Sequence, residues 1–313
     1  MLDVVILFFI FGLAAGLLKS ELRLPAALYD TLTLVLLLAI GLKGGEGLAK
    51  QAIAPLLPQL GAVMALGVVQ TLIAFAILNI AGKFSRADAA ATAAHYGSVS
   101  VATFAVGSTW LMTREIAFEP QLVIFLTVME VPAIIVGIVL ARGLSRQTDW
   151  RALAHESFLG KGVTLLIGGM AIGWAAGPEG LAPIKGLFYD LFKGALTLFL
   201  LEMGLIVARQ TGELRKRGLF IISFGLVMPL FSALLGIACG LALGLSVGGI
   251  TLLATLAASA SYIAVPATMR LAIPEANPAL SLSAVLGITF PFNILVGIPL
   301  YHWLATELTG VMV

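Results

Sequence analysis

Residues 86–112 read RADAAATAAHYGSVSVATFAVGSTWLM, and residues 248–272 read GGITLLATLAASASYIAVPATMRLA. Both stretches are apolar enough to belong in a membrane, yet each carries a cluster of small and hydroxylated residues in its middle. The first holds Gly97, Ser98, Val99 and Ser100; the second holds Ser259, Ala260 and Ser261, with Pro266 shortly after. Lipid offers no hydrogen bonds, so backbone that leaves the helix at mid-depth must line a cavity or be buried in protein. A pair of such interruptions at corresponding places in the two halves of a chain points to the binding site of a transporter.

Composition supports this reading. Hydrophobic residues make up 60% of the 313 residues and charged ones only 11%, with a mean hydropathy of +1.08. Soluble domains carry about 25% charged residues. A soluble fold of this length could not cover its surface with so few, so a polytopic membrane protein is expected. The single cysteine, Cys239, lies in an apolar run. It excludes an intrachain disulfide and a multi-cysteine metal or iron–sulfur site, and it reads as a small core residue. The opening MLDVVILFFIFGLAAGLLKSELRLP has Asp3 where a signal peptide carries a cationic region, and bulky or charged residues where cleavage needs small ones. A retained first transmembrane helix is expected there.

A spanning helix needs about 20 mostly apolar residues. Ten segments meet that demand: 2–18, 27–45, 56–81, 86–112 (broken), 117–142, 158–176, 187–208, 218–244, 248–272 (broken) and 279–306. The fold class expected is therefore an all-α polytopic membrane protein, with its fourth and ninth helices discontinuous. The longest polar stretch, 143–157, divides the chain into a first half, 1–142, and a second half, 158–313, with the linker between them on the cytoplasmic side. The halves resemble one another. Leu28-Tyr29-Asp30 opens helix 2 and Phe188-Tyr189-Asp190 opens helix 7; 57 residues separate Gly41 from Ser98 and Gly204 from Ser261. Helices 5 and 10 each carry a proline, Pro132 and Pro291. Five helices per half would invert the second copy in the membrane.

Thirteen of the eighteen lysines and arginines fall in the loops after helices 1, 3, 5, 7 and 9, among them the basic loop 209–217. Cytoplasmic loops are the lysine- and arginine-rich ones. Both termini are thus expected outside the cytoplasm.

The candidate chemistry lies at the breaks. Half-helix N-termini present free N–H groups and a positive dipole end to an anion, and hydroxyls add hydrogen bonds as donor or acceptor. Gly97, Ser98, Ser100, Thr103, Ser259, Ser261, Tyr262 and Thr268 are the candidate substrate-binding residues. Close helix packing by small residues is the competing reading. Two buried acids follow, since charge at membrane depth is costly. Glu130, beside Pro132, either binds Na⁺, carries a proton, or is a protonated acid bonded to a carbonyl. Glu202 reads as a structural contact. Ser98, Ser100, Glu130, Ser261 and Asn293 are the candidate sodium ligands, and no transition metal is expected. His95 precedes the first break as a site neighbour, a proton carrier or a packing histidine. The chain has no HExxH, GxSxG or P-loop motif, so no enzyme activity and no cofactor are expected. Transport would be passive or ion-driven.

Three stretches carry a resemblance: Ile40-Gly41-Leu42-Lys43-Gly44-Gly45, Gly212-Glu213-Leu214-Arg215-Lys216, and the run 266–278 (PATMRLAIPEANP). On these the chain resembles the sodium-dependent bicarbonate transporter superfamily, the single-subunit permeases of cyanobacteria and other bacteria. The resemblance implies ten helices in two inverted halves, a homotrimer in the bacterial inner membrane, and symport of bicarbonate with Na⁺ by alternating access. It also implies a PII-like regulator on the cytoplasmic face, and no nucleic-acid partner. Cyanobacterial relatives carry a Ser-Gly-Ser-Thr pattern where this chain has the run from Ser98-Val99 or, in another register, Ser100-Val101-Ala102-Thr103. They carry Ser-Ser-Ser-Asp where this chain has Ala258-Ser259-Ala260-Ser261-Tyr262. Tyr262 thus stands in place of an acid, while helix 5 keeps an acid, Glu130, where relatives carry aspartate. Two alternatives stand beside bicarbonate symport: a carrier of another small anion such as a monocarboxylate, and a membrane sensor that keeps the fold without transport.

Overall fold

The computed structural model describes residues 3–49, 54–143 and 150–310, and these residues form helices joined by short connections. In chain order the helices are α1 (Val4–Leu17), α2 (Ala26–Leu48), α3 (Leu56–Ala76), α4 (Arg86–Gly97), α5 (Val101–Met112), α6 (Leu122–Arg142), α7 (Trp150–Leu159), α8 (Lys161–Leu181), α9 (Phe192–Ala242), α10 (Val247–Ala258), α11 (Ala264–Ala272) and α12 (Pro278–Thr309). Among the described residues, five helical stretches are long and apolar enough to cross a membrane: Ala26–Leu48, Leu56–Ala81, Leu122–Arg142, Gly218–Ala242 and Pro278–Thr309. Large apolar side chains lie on the outside, with Leu18, Ile80 and Leu219 at least three-quarters exposed. Exposed apolar surface on that scale is a lipid or protein contact.

One expectation needs correction. The basic stretch 209–217, read as a loop, continues α9. Its Glu, Leu, Lys and Arg residues are good helix formers, and the helix deviates only at Gly218, whose φ of 80° suits glycine. Within the linker 143–157, α7 starts at Trp150; residues 144–149 lie outside the described residues. Boundaries shift elsewhere. The sixth predicted segment becomes α8 with a positive-φ kink at Gly177. The third ends in a π-helical turn, Ile77–Ala81. The last, α12, contains two more, Val285–Thr289 and Asn293–Gly297.

Packing follows two glycine seams. On the α1–α9 seam, a Cβ on Gly204 would meet Phe9 O at 2.3 Å. On the α2–α8 seam, a Cβ on Gly45 would meet Met170 O at 2.1 Å. Small residues let membrane helices approach this closely. α3 packs on α4 and α6, and α10 packs on α9 and α12.

Polar contacts gather at two ends. At one end Arg142 pairs with Glu275 at 3.1 Å, Asp88 Oδ1 accepts from the Asn277 N–H at 2.7 Å, and Arg86 Nε donates to Leu140 O at 2.5 Å. At the other end Lys193 meets Asp3 at 3.7 Å, Glu119 Oε1 accepts from the Ser246 N–H at 2.6 Å, and Tyr189 donates to Glu46 at 2.8 Å. The exposed ones among these add little stability, but together they show direction. The run α4–α5 starts at the first end, whereas α10–α11 starts at the second.

Candidate functional site

Both short helix pairs are built alike. Ser85 caps α4, its Oγ accepting from the Asp88 N–H at 3.1 Å. Ser246 caps α10, its Oγ accepting from the Gly249 N–H at 3.1 Å. Each first helix is 12 residues long and ends at a serine in extended conformation: Ser98 (φ −95°, ψ 179°) and Ser259 (φ −78°, ψ 170°). The chain then starts a second helix. Ser100 caps α5 through the Thr103 N–H at 3.2 Å, and the Ser261 hydroxyl accepts from the Val265 N–H at 3.5 Å near the start of α11. Caps of this kind satisfy helix-end donors that have no partner within the helix.

The two breaks interlock. The Ser100 N–H donates to Ser259 Oγ at 2.8 Å, and Ser259 Oγ donates in turn to Leu256 O at 2.7 Å. The Ser261 N–H donates to His95 O at 2.9 Å, while His95 Nδ1 faces Ser261 O at 2.6 Å. A carbonyl only accepts, so His95 Nδ1 carries the proton in this contact. Ser98, Ser100, Ser259 and Ser261 are all buried, as backbone leaving the helix at membrane depth requires. Gly97 lies against α3, where a Cβ would stand 1.8 Å from Thr71 Oγ1.

The other predicted residues separate by role. The Thr268 hydroxyl is tied to Ala264 O of its own helix at 3.3 Å. Thr103 is buried in the first turn of α5. Tyr262 packs edge-on against Phe290 with ring centroids 5.6 Å apart. Its hydroxyl lies by Ser100 but meets no hydrogen-bond geometry. Asn293 donates from Nδ2 to Ala258 O at 2.8 Å, and its Oδ1 accepts from the Tyr301 hydroxyl at 2.7 Å. It therefore clamps the end of α10. Glu130 is buried in α6 with Oε2 unpartnered. Glu202 accepts from the Leu24 N–H at 3.4 Å and so braces the α1–α2 connection.

Sequence reasoning passed over Gln70. Its Nε2 donates to Ala257 O at 2.8 Å, a second clamp on the end of α10, and its Oε1 is buried without a partner. The available signal was an amide in the otherwise apolar segment 56–81. Ser98 Oγ is likewise buried and unpartnered. Buried polar atoms without partners are rare, and here three of them, Gln70 Oε1, Ser98 Oγ and Glu130 Oε2, lie on or at the end of helices that pack together (α3, α4 and α6).

Two cavities approach the breaks. One, about 160 Å³, opens at the Asp88–Asn277 end and is lined by His95, Pro266 and Arg270 among others. The second, about 20 Å³, lies between Thr33, Leu36 and Leu37 of α2 and Val101, Ala102 and Ala105 of α5. It has room for about one water.

Helices with apolar outer surfaces, and two buried breaks joined by hydrogen bonds, describe a multi-pass membrane protein of the transporter class. The chain belongs to the Na⁺-dependent bicarbonate transporter superfamily, whose pattern matches residues 4–306. No curated protein matches it.

Proposed function

We propose that the chain is a secondary transporter that carries bicarbonate together with Na⁺, the anion being held between the breaks of α4–α5 and α10–α11. The observation that carries this reading is the pair of cross-links Ser100–Ser259 and Ser261–His95. They hold two half-helix N-termini, α5 and α11, close together inside the protein. N–H groups and helix dipoles at these ends stabilise a small oxyanion without a fixed positive charge, and burial strengthens them. The hydroxyls of Ser98, Ser100 and Ser261 complete the anion's hydrogen bonds. Na⁺ takes hard oxygen ligands, for which the unpartnered oxygens of Glu130, Ser98 and Gln70 are suited.

In this reading α4–α5 and α10–α11 are each one discontinuous span, and the chain crosses the membrane ten times in two inverted halves. The opposite directions of the two broken spans and the matched serine caps at Ser85 and Ser246 support it. The α1–α9 and α2–α8 seams are then equivalent contacts, each joining a first helix of one half to a second helix of the other. The cavity ending at His95 is the entrance from the basic-loop side.

Uptake of radiolabelled bicarbonate into proteoliposomes tests the proposal. Accumulation driven by an inward Na⁺ gradient, and not by K⁺, is expected. Accumulation of acetate in its place would favour a monocarboxylate carrier, and no uptake of either anion under any gradient would refute transport.

A further inference from the structure

Lys43 sits near the end of α2 that carries Glu46. Its ammonium lies 3.6 Å from Met112 Sδ, and 5.4 Å and 5.8 Å from the ring centroids of Tyr189 and Phe192. Cation–π contacts hold a lysine loosely. Among the described residues no carboxylate lies within 4 Å of it. The nearest acid along the helix, Glu46, is engaged by the Tyr189 hydroxyl at 2.8 Å. Glu46 still acts on the ammonium through its charge, and a lysine this near a helix end lays its stem along apolar surface while its charged head stays toward water, open to an anion.

Beside Lys43 is a cavity of about 180 Å³, lined by Ile40, Phe104, Ser108, Met112 and Phe192 and by no acidic residue. One turn further in along α2 and α5, Leu36, Leu37, Val101 and Ala105 line the 20 Å³ cavity next to the first break. Ile40 and Phe104 stand between the two spaces. The Lys43 cavity is thus the outer end of a seam leading to the breaks, on the end of the molecule opposite to His95 and Arg270.

From this placement we infer that the Lys43 cavity is a receiving site for a small monovalent oxyanion, with Ile40 and Phe104 as the constriction between it and the breaks. A single positive charge among apolar walls focuses the field and raises the local anion concentration. The Ser108 hydroxyl on the same wall donates to Ala105 O at 3.1 Å, so the ammonium is the group that meets the anion. This inference rests on the transport reading above and names the residue that would collect the substrate on that side.

Kinetics of bicarbonate uptake in proteoliposomes test it. Lys43→Gln is expected to raise KM about tenfold at low ionic strength with Vmax within about twofold, the difference shrinking in high salt. Lys43→Arg is expected to stay within about twofold of the native protein in both. An unchanged KM in Lys43→Gln, in protein that transports, overturns the inference and leaves the transport reading standing. If the native protein takes up no bicarbonate, or if Lys43→Gln does not fold, a second measurement decides. Lys43 in the full chain is reductively methylated with and without bicarbonate or acetate and followed by mass spectrometry, the exposed Lys185 serving as reference. An anion that pairs with the ammonium is expected to slow Lys43 about fivefold relative to Lys185. Equal rates with and without anion would overturn the inference.

Discussion

The closest approach in the site is that of Gly97 to α3, and Gly97→Ala tests it. A Cβ there would stand 1.8 Å from Thr71 Oγ1, 2.9 Å from Thr71 Cβ and 2.7 Å from Gly67 O. Two of these obstacles are a backbone atom and a Cβ, which cannot rotate away, so α4 and α3 must separate. Overpacking a tight core costs about 1–3 kcal/mol, and with three contacts below 3.0 Å the upper end, about 3 kcal/mol, is expected. Thr71→Ala removes the worst obstacle and a hydrogen bond to Gly67 O of 2.8 Å, at a cost of about 1 kcal/mol. The double variant still meets Gly67 O and the Cβ at position 71. Its cost should therefore fall below the sum of the single costs by about 1 kcal/mol, a partial rescue. Denaturant titration of purified protein in micelles measures all three. Uptake should follow the same order, lowest in Gly97→Ala and partly restored in the double variant. If the two changes add within about 0.5 kcal/mol, the residues are not in contact, and the account of how the first break is positioned is wrong.

Other predictions follow from the same contacts. Gln70→Leu and Asn293→Leu each leave a carbonyl at the end of α10 without its clamp; each should cost about 1–3 kcal/mol in the same titration and lower bicarbonate uptake. Glu130→Gln keeps size and removes the acid, so folding should persist while the Na⁺ stimulation of uptake falls by about tenfold or more; unchanged Na⁺ dependence would remove Glu130 from the sodium ligands. Gly218→Ala meets no neighbouring atom but must hold φ 80° and ψ 169°, a region open essentially to glycine alone, so it should cost about 1–3 kcal/mol, and Gly218→Asn about as much; equal stability of all three forms would refute the strain argument. Gly45→Val should prevent the α2–α8 seam from closing, seen as loss of monodisperse protein.

Where α4 and α10 end is legible in the sequence, because the clusters around Ser98 and Ser259 stand out in apolar surroundings. The chain leaves α4 at Ser98 and α10 at Ser259, within those clusters. What one chain's pattern cannot show is which side chains cross between elements. The exchange between His95 and Ser261 joins residues 166 apart, and neither local sequence signals the other. Gln70 carries no such cluster around it: a lone amide in an apolar segment acts by reaching across to α10. The position of Asn293 marks it as a polar partner near the second break, but not that its Nδ2 reaches Ala258 O and its Oδ1 meets the Tyr301 hydroxyl. At 209–217 the polarity points to a loop, yet the helix runs through Gly212 and deviates only at Gly218. The π-helical turns in α12 depend on how that helix packs on α9 and α10, which no local propensity encodes.

Equilibrium binding of bicarbonate to the purified protein, in Na⁺ and in K⁺ buffer, probes the interlocked breaks most directly when the native chain is compared with Ser98→Ala. The account predicts saturable binding that needs Na⁺ and weakens about tenfold in the variant, as expected for one lost hydrogen bond to a charged ligand. Identical titrations for the two proteins, or no saturable binding in either buffer, would contradict it.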